Sequence, residues 1–456
     1  MAHFLIVGGS DAGISAALRA REVNPAWEVT VVVADRYPNY SICGLPFWLG
    51  GEIPDWRDLA HRKAEDVEAR GIRLLLEHTA QAIDPSGKTV MVVDGAGQSH
   101  HIAYDSLLIG TGAVPARPPI EGLEQEGVLF LRTMGDGFAL RDYLADQSPA
   151  SAVVVGGGYI GLEMAEALTR RGIRVTLAEY FPSVLTTVDP PLGALVGEAL
   201  IDHSVNVVTG VSVKSIDRQG HQLIVNGSRG FHAPAELVLV ATGVRPNADL
   251  ALTAGVETGR WGAIHVNRAM ETNVPHVYAA GDCVETYHRL LERNDYVPLG
   301  STAHKQGRVA GENAVGGQAE FGGTLGTQVV KVFEMVAGRT GLRDDEAREV
   351  GFDLLTVQIE TWDHKVYYPG AHRLHIRVTG DHQTGRLLGA QIVGHRTAEV
   401  SKRVDVFAVA LFNGMTVDAL NDVDLSYTPP LSTPWDAVQV AVQAWMKDDR
   451  EDRPET

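Results

Sequence analysis

Two stretches decide the reading: Ala2-His3-Phe4-Leu5-Ile6-Val7-Gly8-Gly9-Ser10-Asp11-Ala12-Gly13 and Ala152-Val153-Val154-Val155-Gly156-Gly157-Gly158-Tyr159-Ile160-Gly161. Each is a short apolar run that enters a glycine-rich turn. The first continues as an Ala-rich helical stretch through Arg21, the second as Leu162 to Arg171. β-branched runs follow, Val29 to Val33 and Arg174 to Leu177, so a strand–helix–strand unit is written twice. Glycine suits such a turn because backbone N–H groups must approach a pyrophosphate closely, with its charge held at the helix N-terminus. The repetition predicts an α/β chain with two dinucleotide sites.

The second copy carries the full G-x-G-x-x-G pattern at Gly156, Gly158 and Gly161, and Glu163 is counted with its cofactor residues. Glu179 ends the next strand 18 residues after Gly161, the place for a carboxylate on a ribose 2′-hydroxyl, where it would repel a 2′-phosphate. NADH is favoured there over NADPH. The first copy keeps Gly8 and Gly13, but Ser10 replaces the second glycine and Val33 stands where the acid belongs. Asp35, two residues late, either reaches an adenosine ribose or is a solvated loop carboxylate.

The 456 residues leave room for two to four domains, and 45% hydrophobic with 21% charged residues is the balance of a chain with a sizeable core. With 39 basic and 57 acidic residues the net charge is −18, which disfavours a nucleic-acid or anionic-membrane surface. Two cysteines, Cys43 and Cys283, make no disulfide scaffold and fit a reduced compartment. The chain opens into Phe4-Leu5-Ile6-Val7 without a signal-like region, and no run approaches membrane-spanning length, so the cytoplasm is expected.

Leu107 to Gly112 and Leu239 to Gly243 are apolar runs that stop at Thr-Gly, placing Thr111, Gly112 and Gly243 at strand ends that meet a ligand. Val277 to Asp282 ends on an acid able to take a sugar hydroxyl. From about Gly323 strands predominate, at Leu354 to Ile359, His372 to Val378 and Leu387 to Val393, followed by helices near Glu399 to Asn413 and Trp435 to Trp445. Residues 447–456 read as a frayed charged tail. The histidines lack metal-ligand spacing, and no metal is expected.

The order of these signals, with Ala241-Thr242-Gly243-x-Arg245-Pro246-Asn247 and Ala280-Gly281-Asp282-Cys283, resembles the pyridine nucleotide-disulfide oxidoreductases over nearly the whole chain. The resemblance implies a glutathione-reductase-like fold: two Rossmann-like dinucleotide-binding domains, for FAD (1–113 and 247–322) and NADH (114–246), plus a C-terminal α/β dimerisation domain (323–446). Tyr40-Ser41-Ile42-Cys43-Gly44-Leu45-Pro46-Phe47-Trp48 is similar to the single-cysteine branch of CoA-disulfide reductases, NADH oxidases and NADH peroxidases. Trp48 stands at the second cysteine position of the C-x-x-x-x-C reductases, so no internal redox disulfide can form there. Asp424 to Asp436, Pro298 to Arg308 and Tyr367-Tyr368-Pro369-Gly370 match the same branch.

By this resemblance Cys43 is the nucleophile of a homodimeric FAD enzyme that oxidises NADH and reduces a small disulfide or persulfide, with a CoA-linked acceptor among the candidates. A helix starting near Gly44 is expected to keep the thiol ionised. Tyr427, reaching across the dimer, and Tyr367 or Tyr368 supply phenolic hydrogen bonds, or else pack the interface. Arg19, Arg21 and Arg62 are the candidates for CoA phosphates, while Glu22 replaces a frequent arginine. The histidine that oxidases and peroxidases commonly carry in the first glycine turn is Asp11 here. Cys283 is expected to be structural. An oxidase or peroxidase acting on oxygen or peroxide, and a reductase of a redox protein, remain the alternatives.

Overall fold

The computed structural model describes residues 1–452, and its first sheet explains why the opening run is continuously apolar. Strand His3–Val7 lies between Glu28–Val33 and Ser106–Ile109, parallel to both, with Ile72–Leu76 and Val277–Ala279 at the edges. Inner strands of a parallel sheet are covered on both faces, so their side chains do not alternate in polarity. Phe4, Leu5, Ile6 and Leu107 to Ile109 are accordingly all buried. Helix α1 (Asp11–Val23) packs beside this sheet and buries Ala12, Ile14, Ala16, Ala17 and Ala20.

The second sheet repeats the plan. Ser151–Val155 lies between Arg174–Ala178 and Leu237–Val240, all parallel, flanked by Asn206–Val208 and Val128–Leu129. Helix α2 (Tyr159–Arg170) follows its first strand. Each unit also carries an antiparallel three-stranded sheet ahead of its Thr-Gly strand: residues 79–103 in the first and 213–235 in the second. Two short antiparallel strands, Ala113–Pro115 and Val244–Pro246, form the two-way passage between the units.

Helix α3 (Gly300–Ala314) lies directly along α1. Gly307 and Gly311, one turn apart on one face, rest on the backbone of Ala12 and Ala16, and a Cβ at either would strike a carbonyl oxygen. This close crossing brings the first turn of α3 over the first turn of α1.

The C-terminal part is an antiparallel sheet in the order Gln328–Val332, Met335–Gly341, Leu387–His395, Arg373–Asp381, Leu354–Trp362. Helices Val400–Phe412 and Ala437–Asp452 pack against it. The last helix corrects the expected tail: Trp445 is buried with its indole N–H on the Leu355 carbonyl (2.8 Å), and Lys447 pairs with Glu451 one turn on (3.6 Å), so the helix holds to Asp452. Residues 453–456 lie outside the described residues. The sheet is fastened to the second nucleotide unit through Asp189, whose carboxylate accepts from Arg377 (3.0 Å) and Gln391 (2.6 Å). No helix among the described residues is long and apolar enough to cross a membrane.

Candidate active site

A cavity of ≈1850 Å³ runs between the two nucleotide units. Ordinary small-molecule pockets span about 300–1,000 Å³, so this one has the scale for two dinucleotides meeting. Gly8 and Gly156 open the turns at its two ends with φ of +118° and +108°, a region that disfavours side chains. Gly13 and Gly161 do not line the cavity. They let each helix touch its strand, because a Cβ at either would collide with the carbonyl of Gly8 or Gly156. Gly158 differs: a Cβ there would meet nothing within 4 Å, so the protein leaves open space before the α2 N-terminus. That empty cradle fits a pyrophosphate. Ser10, its counterpart, is exposed at the α1 N-terminus.

Glu179 lines the cavity at the strand end, with Oε2 accepting the Gly157 N–H (2.5 Å) and Oε1 the Phe181 N–H (2.7 Å). These bonds hold the carboxylate against the second glycine turn. Asp35 also lines the cavity, accepts the Tyr37 N–H (2.8 Å) and has its carboxyl pushed up by burial. Thr111, Gly112, Gly243 and Asp282 all face the same space. Thr111 donates to the Asn247 carbonyl (2.5 Å), tying the first unit's strand end to the return crossing.

Asp282 is not free: Arg132 Nη2 donates to its Oδ2 at 2.7 Å, and Arg132 Nε donates to the Ala113 carbonyl at 3.2 Å. Sequence reasoning missed Arg132. A local signal exists, because it directly precedes Thr133-Met134-Gly135-Asp136, a reciprocal capping box that begins helix Met134–Gln147.

Cys43 is exposed to the cavity, whereas Cys283 is fully buried with its thiol on the Ile109 and Ala280 carbonyls. Trp48 is buried against Phe138, and Cys43 and Cys283 are both free thiols. The expected ionisation by a following helix is corrected. Cys43 sits in a short turn, Ile42–Gly44, and helix Leu45–Leu49 is only five residues long, so few peptide dipoles align behind it. Burial pushes the thiol up, and Glu163 and then Asp11 push it further; Arg132 opposes them.

Glu163 itself faces the cavity, and its carboxyl is pushed up to about 8, first by burial and then by Glu166, with Lys331 pulling the other way. Glu166 is buried one turn from it. It accepts from Lys331 Nζ (2.6 Å), Arg170 Nε (2.8 Å) and the Phe333 N–H (2.7 Å), linking α2 to the C-terminal sheet.

The remaining expectations fare differently. Tyr367, Tyr368 and Tyr427 are exposed on the C-terminal part, outside the cavity lining, and are not brought to Cys43 within one chain. Arg21 is not available to phosphates: it donates to the carbonyls of Pro25, Trp27 and Arg70 (2.7–3.2 Å). Arg19 is held by Glu312 (2.7 and 2.8 Å) and by Glu22 (3.0 Å), the residue that displaces an arginine. Of the three arginines, Arg62 stays exposed, with one long bond to Asn39 (3.4 Å).

Comparison with known proteins matches residues 2–307 to the pyridine nucleotide-disulphide oxidoreductase family model and residues 327–437 to the dimerisation domain of that family. A CoA-dependent NAD(P)H sulfur oxidoreductase of Pyrococcus abyssi is 36% identical, with 96% of each chain covered. An NADH oxidase of Methanocaldococcus jannaschii is 32% identical over 97% of this chain and 98% of its own. The structure of an NAD-dependent persulfide reductase from A. fulgidus superposes with a TM-score of 0.94 at 37% identity, over 98% of this chain and 84% of the other.

Proposed function

Because this chain belongs to the pyridine nucleotide-disulphide oxidoreductase family and is an FAD- and NAD(P)H-dependent oxidoreductase, we propose that it spends NADH to reduce a small disulfide or persulfide through Cys43. One observation carries the reading: a lone thiol opens into the cavity shared by both glycine turns, with Trp48 where an internal disulfide would need its partner. Persulfide and CoA-linked sulfur reduction among the similar proteins supports it.

Bound FAD supplies the passage of an electron pair from the nicotinamide to sulfur. The Cys43 thiolate attacks the S–S bond of R–S–S–R′, forming a mixed disulfide and releasing one thiolate. Uptake of the electron pair by that mixed disulfide returns the Cys43 thiolate and the second thiolate. The sum is NADH + H⁺ + RSSR′ → NAD⁺ + RSH + R′SH. Glu179 selects NADH by its carboxylate at the ribose. A second copy of the chain covers the surface carrying Tyr367, Tyr368 and Tyr427, and Tyr427 donates a phenolic hydrogen bond to the departing sulfur. For a CoA-linked acceptor, Arg62 is the arginine left to meet a phosphate.

The test is anaerobic NADH consumption with CoA disulfide, with a small persulfide and with hydrogen peroxide. Stoichiometric turnover with a sulfur acceptor, lost by about a thousandfold or more in Cys43→Ser, is expected. Turnover with peroxide alone, or a Cys43→Ser variant that still reduces the sulfur acceptor, would overturn it.

A further inference from the structure

The cavity that Cys43 opens into also holds a pair drawn from the two ends of the nucleotide-binding region. His304, on the first turn of α3, places Nε2 3.3 Å from Asp11 Oδ1 and Nδ1 2.8 Å from Ser15 Oγ. Both Asp11 and His304 line the cavity that Cys43 opens into. The close crossing at Gly307 and Gly311 makes the contact, because it sets residue 304 over residues 11 and 15, one turn apart on α1. Asp11 is the first residue of α1, and the position of a Cβ on Gly300, first residue of α3, lies 3.2 Å from its Oδ2. Its carboxylate thus stands between two helix N-termini.

We infer that His304 is a positioning residue that governs the reactivity of Cys43 through Asp11. The inference rests on Cys43 being the sulfur nucleophile. When the imidazole is protonated, the pair is neutral and the thiol ionises against less opposing charge. When it is neutral, the Asp11 carboxylate faces Cys43 alone and holds the proton on sulfur.

Asp11 raises the imidazole above its ordinary range, chiefly by the hydrogen bond, while burial and Arg62 oppose this. His61 meets the His304 ring edge-on at 6.3 Å. From α1 itself, Arg19 and Glu22 satisfy each other, and Glu22 also faces Arg308 of α3 at 3.6 Å. The other charges acting on Cys43 are Glu163, Asp282 and Arg132. The ion pair joins the last two, and Glu163 is protonated below about 8. Asp11 is therefore the carboxylate acting on Cys43 whose charge is offset by a titratable imidazole.

The test reads the thiol directly and needs no acceptor. FAD-loaded protein, reduced anaerobically with NADH, is treated with iodoacetamide across pH; Cys283 is buried, so alkylation reports Cys43. His304→Gln is expected to slow alkylation roughly tenfold at about pH 6, where the parent imidazole carries its proton, and to leave the rate unchanged at high pH, where it does not. Asp11→Asn speeds alkylation once the imidazole is neutral, and adding His304→Gln to Asp11→Asn changes nothing further. If His304→Gln does not fold, Ser15→Ala is expected to give a smaller slowing at the same pH. An unchanged rate at about pH 6 in His304→Gln, or an equal slowing with and without Asp11, overturns the inference. Failure of sulfur turnover with this profile intact would sink the proposed acceptor and leave the Asp11–His304 coupling standing.

Discussion

Arg132 Nη2 donates to Asp282 Oδ2 across 2.7 Å, joining residues 150 positions apart at the wall of the cavity. Both side chains are mostly buried, 22% and 16% exposed, so removing one strands the other in a poorly solvated place. Arg132→Ala is expected to weaken flavin retention about 10- to 100-fold, the scale of one charged hydrogen bond. Arg132→Lys should rescue only part, because one ammonium cannot span Asp282 and the Ala113 carbonyl as the guanidinium fork does. Flavin-to-protein ratio after gel filtration measures it, and full retention by Arg132→Ala refutes it.

Glu179 should decide between the two nicotinamide cofactors. Replacing it by Ala frees the Gly157 and Phe181 N–H groups and removes the charge that repels a 2′-phosphate. The kcat/KM for NADH is expected to fall roughly tenfold while that for NADPH rises. If the ratio between them does not move, the carboxylate is not at the ribose.

Glu163 gives a pH signature. It keeps its proton up to about 8 in the folded chain but ionises near the ordinary carboxylate value when unfolded. Between those values the unfolded state binds fewer protons, so stability falls as pH rises and levels off above about 8. Glu163→Gln lacks this loss. Its advantage over the parent chain should be larger at about pH 8.5 than at about pH 5, by on the order of a few kcal/mol or a few degrees in Tm. An advantage independent of pH contradicts the shift.

Glu166 is the buried carboxylate between α2 and the C-terminal sheet. Glu166→Ala abandons Lys331, Arg170 and the Phe333 N–H together, at a cost of about 3 kcal/mol. Lys331→Met leaves Arg170 in place and should cost less, while raising the Glu163 carboxyl further because the opposing cation is gone. Denaturant unfolding of both variants checks the order, and the reverse order defeats it.

Much of the architecture was legible because its signals are local. The turns at Gly8 and Gly156 and their flanking strands are each contained in about a dozen residues. Relationships across the chain were not legible. Nothing in α1 announces that Asp11 will meet His304, 293 positions later; only the crossing at Gly307 and Gly311 creates that contact. The ionisation of Cys43 escapes the sequence for the same reason. The helix after it was visible in the sequence, but its five-residue length and the facing Glu163 and Asp11 belong to the tertiary structure. Arg19 and Arg21 looked like phosphate ligands until their carboxylate and carbonyl partners were in view. The tyrosines at 367, 368 and 427 stay outside the cavity of a single chain, which no local pattern around them announces.

The edge strand Val277–Ala279, parallel to Ser106–Ile109, imposes a timetable on the nascent chain. All five strands of the second sheet lie between residues 128 and 240, so that sheet can close while the first still lacks its edge. The N-terminal unit, though synthesised first, must wait with Ser106–Ile109 uncovered on one side until the ribosome has passed residue 279. Its closure is a long-range step, slow by loop-closure entropy and open to mispairing in the interval. Truncations ending between residues 240 and 277 should therefore yield a folded second unit carrying an aggregation-prone first one.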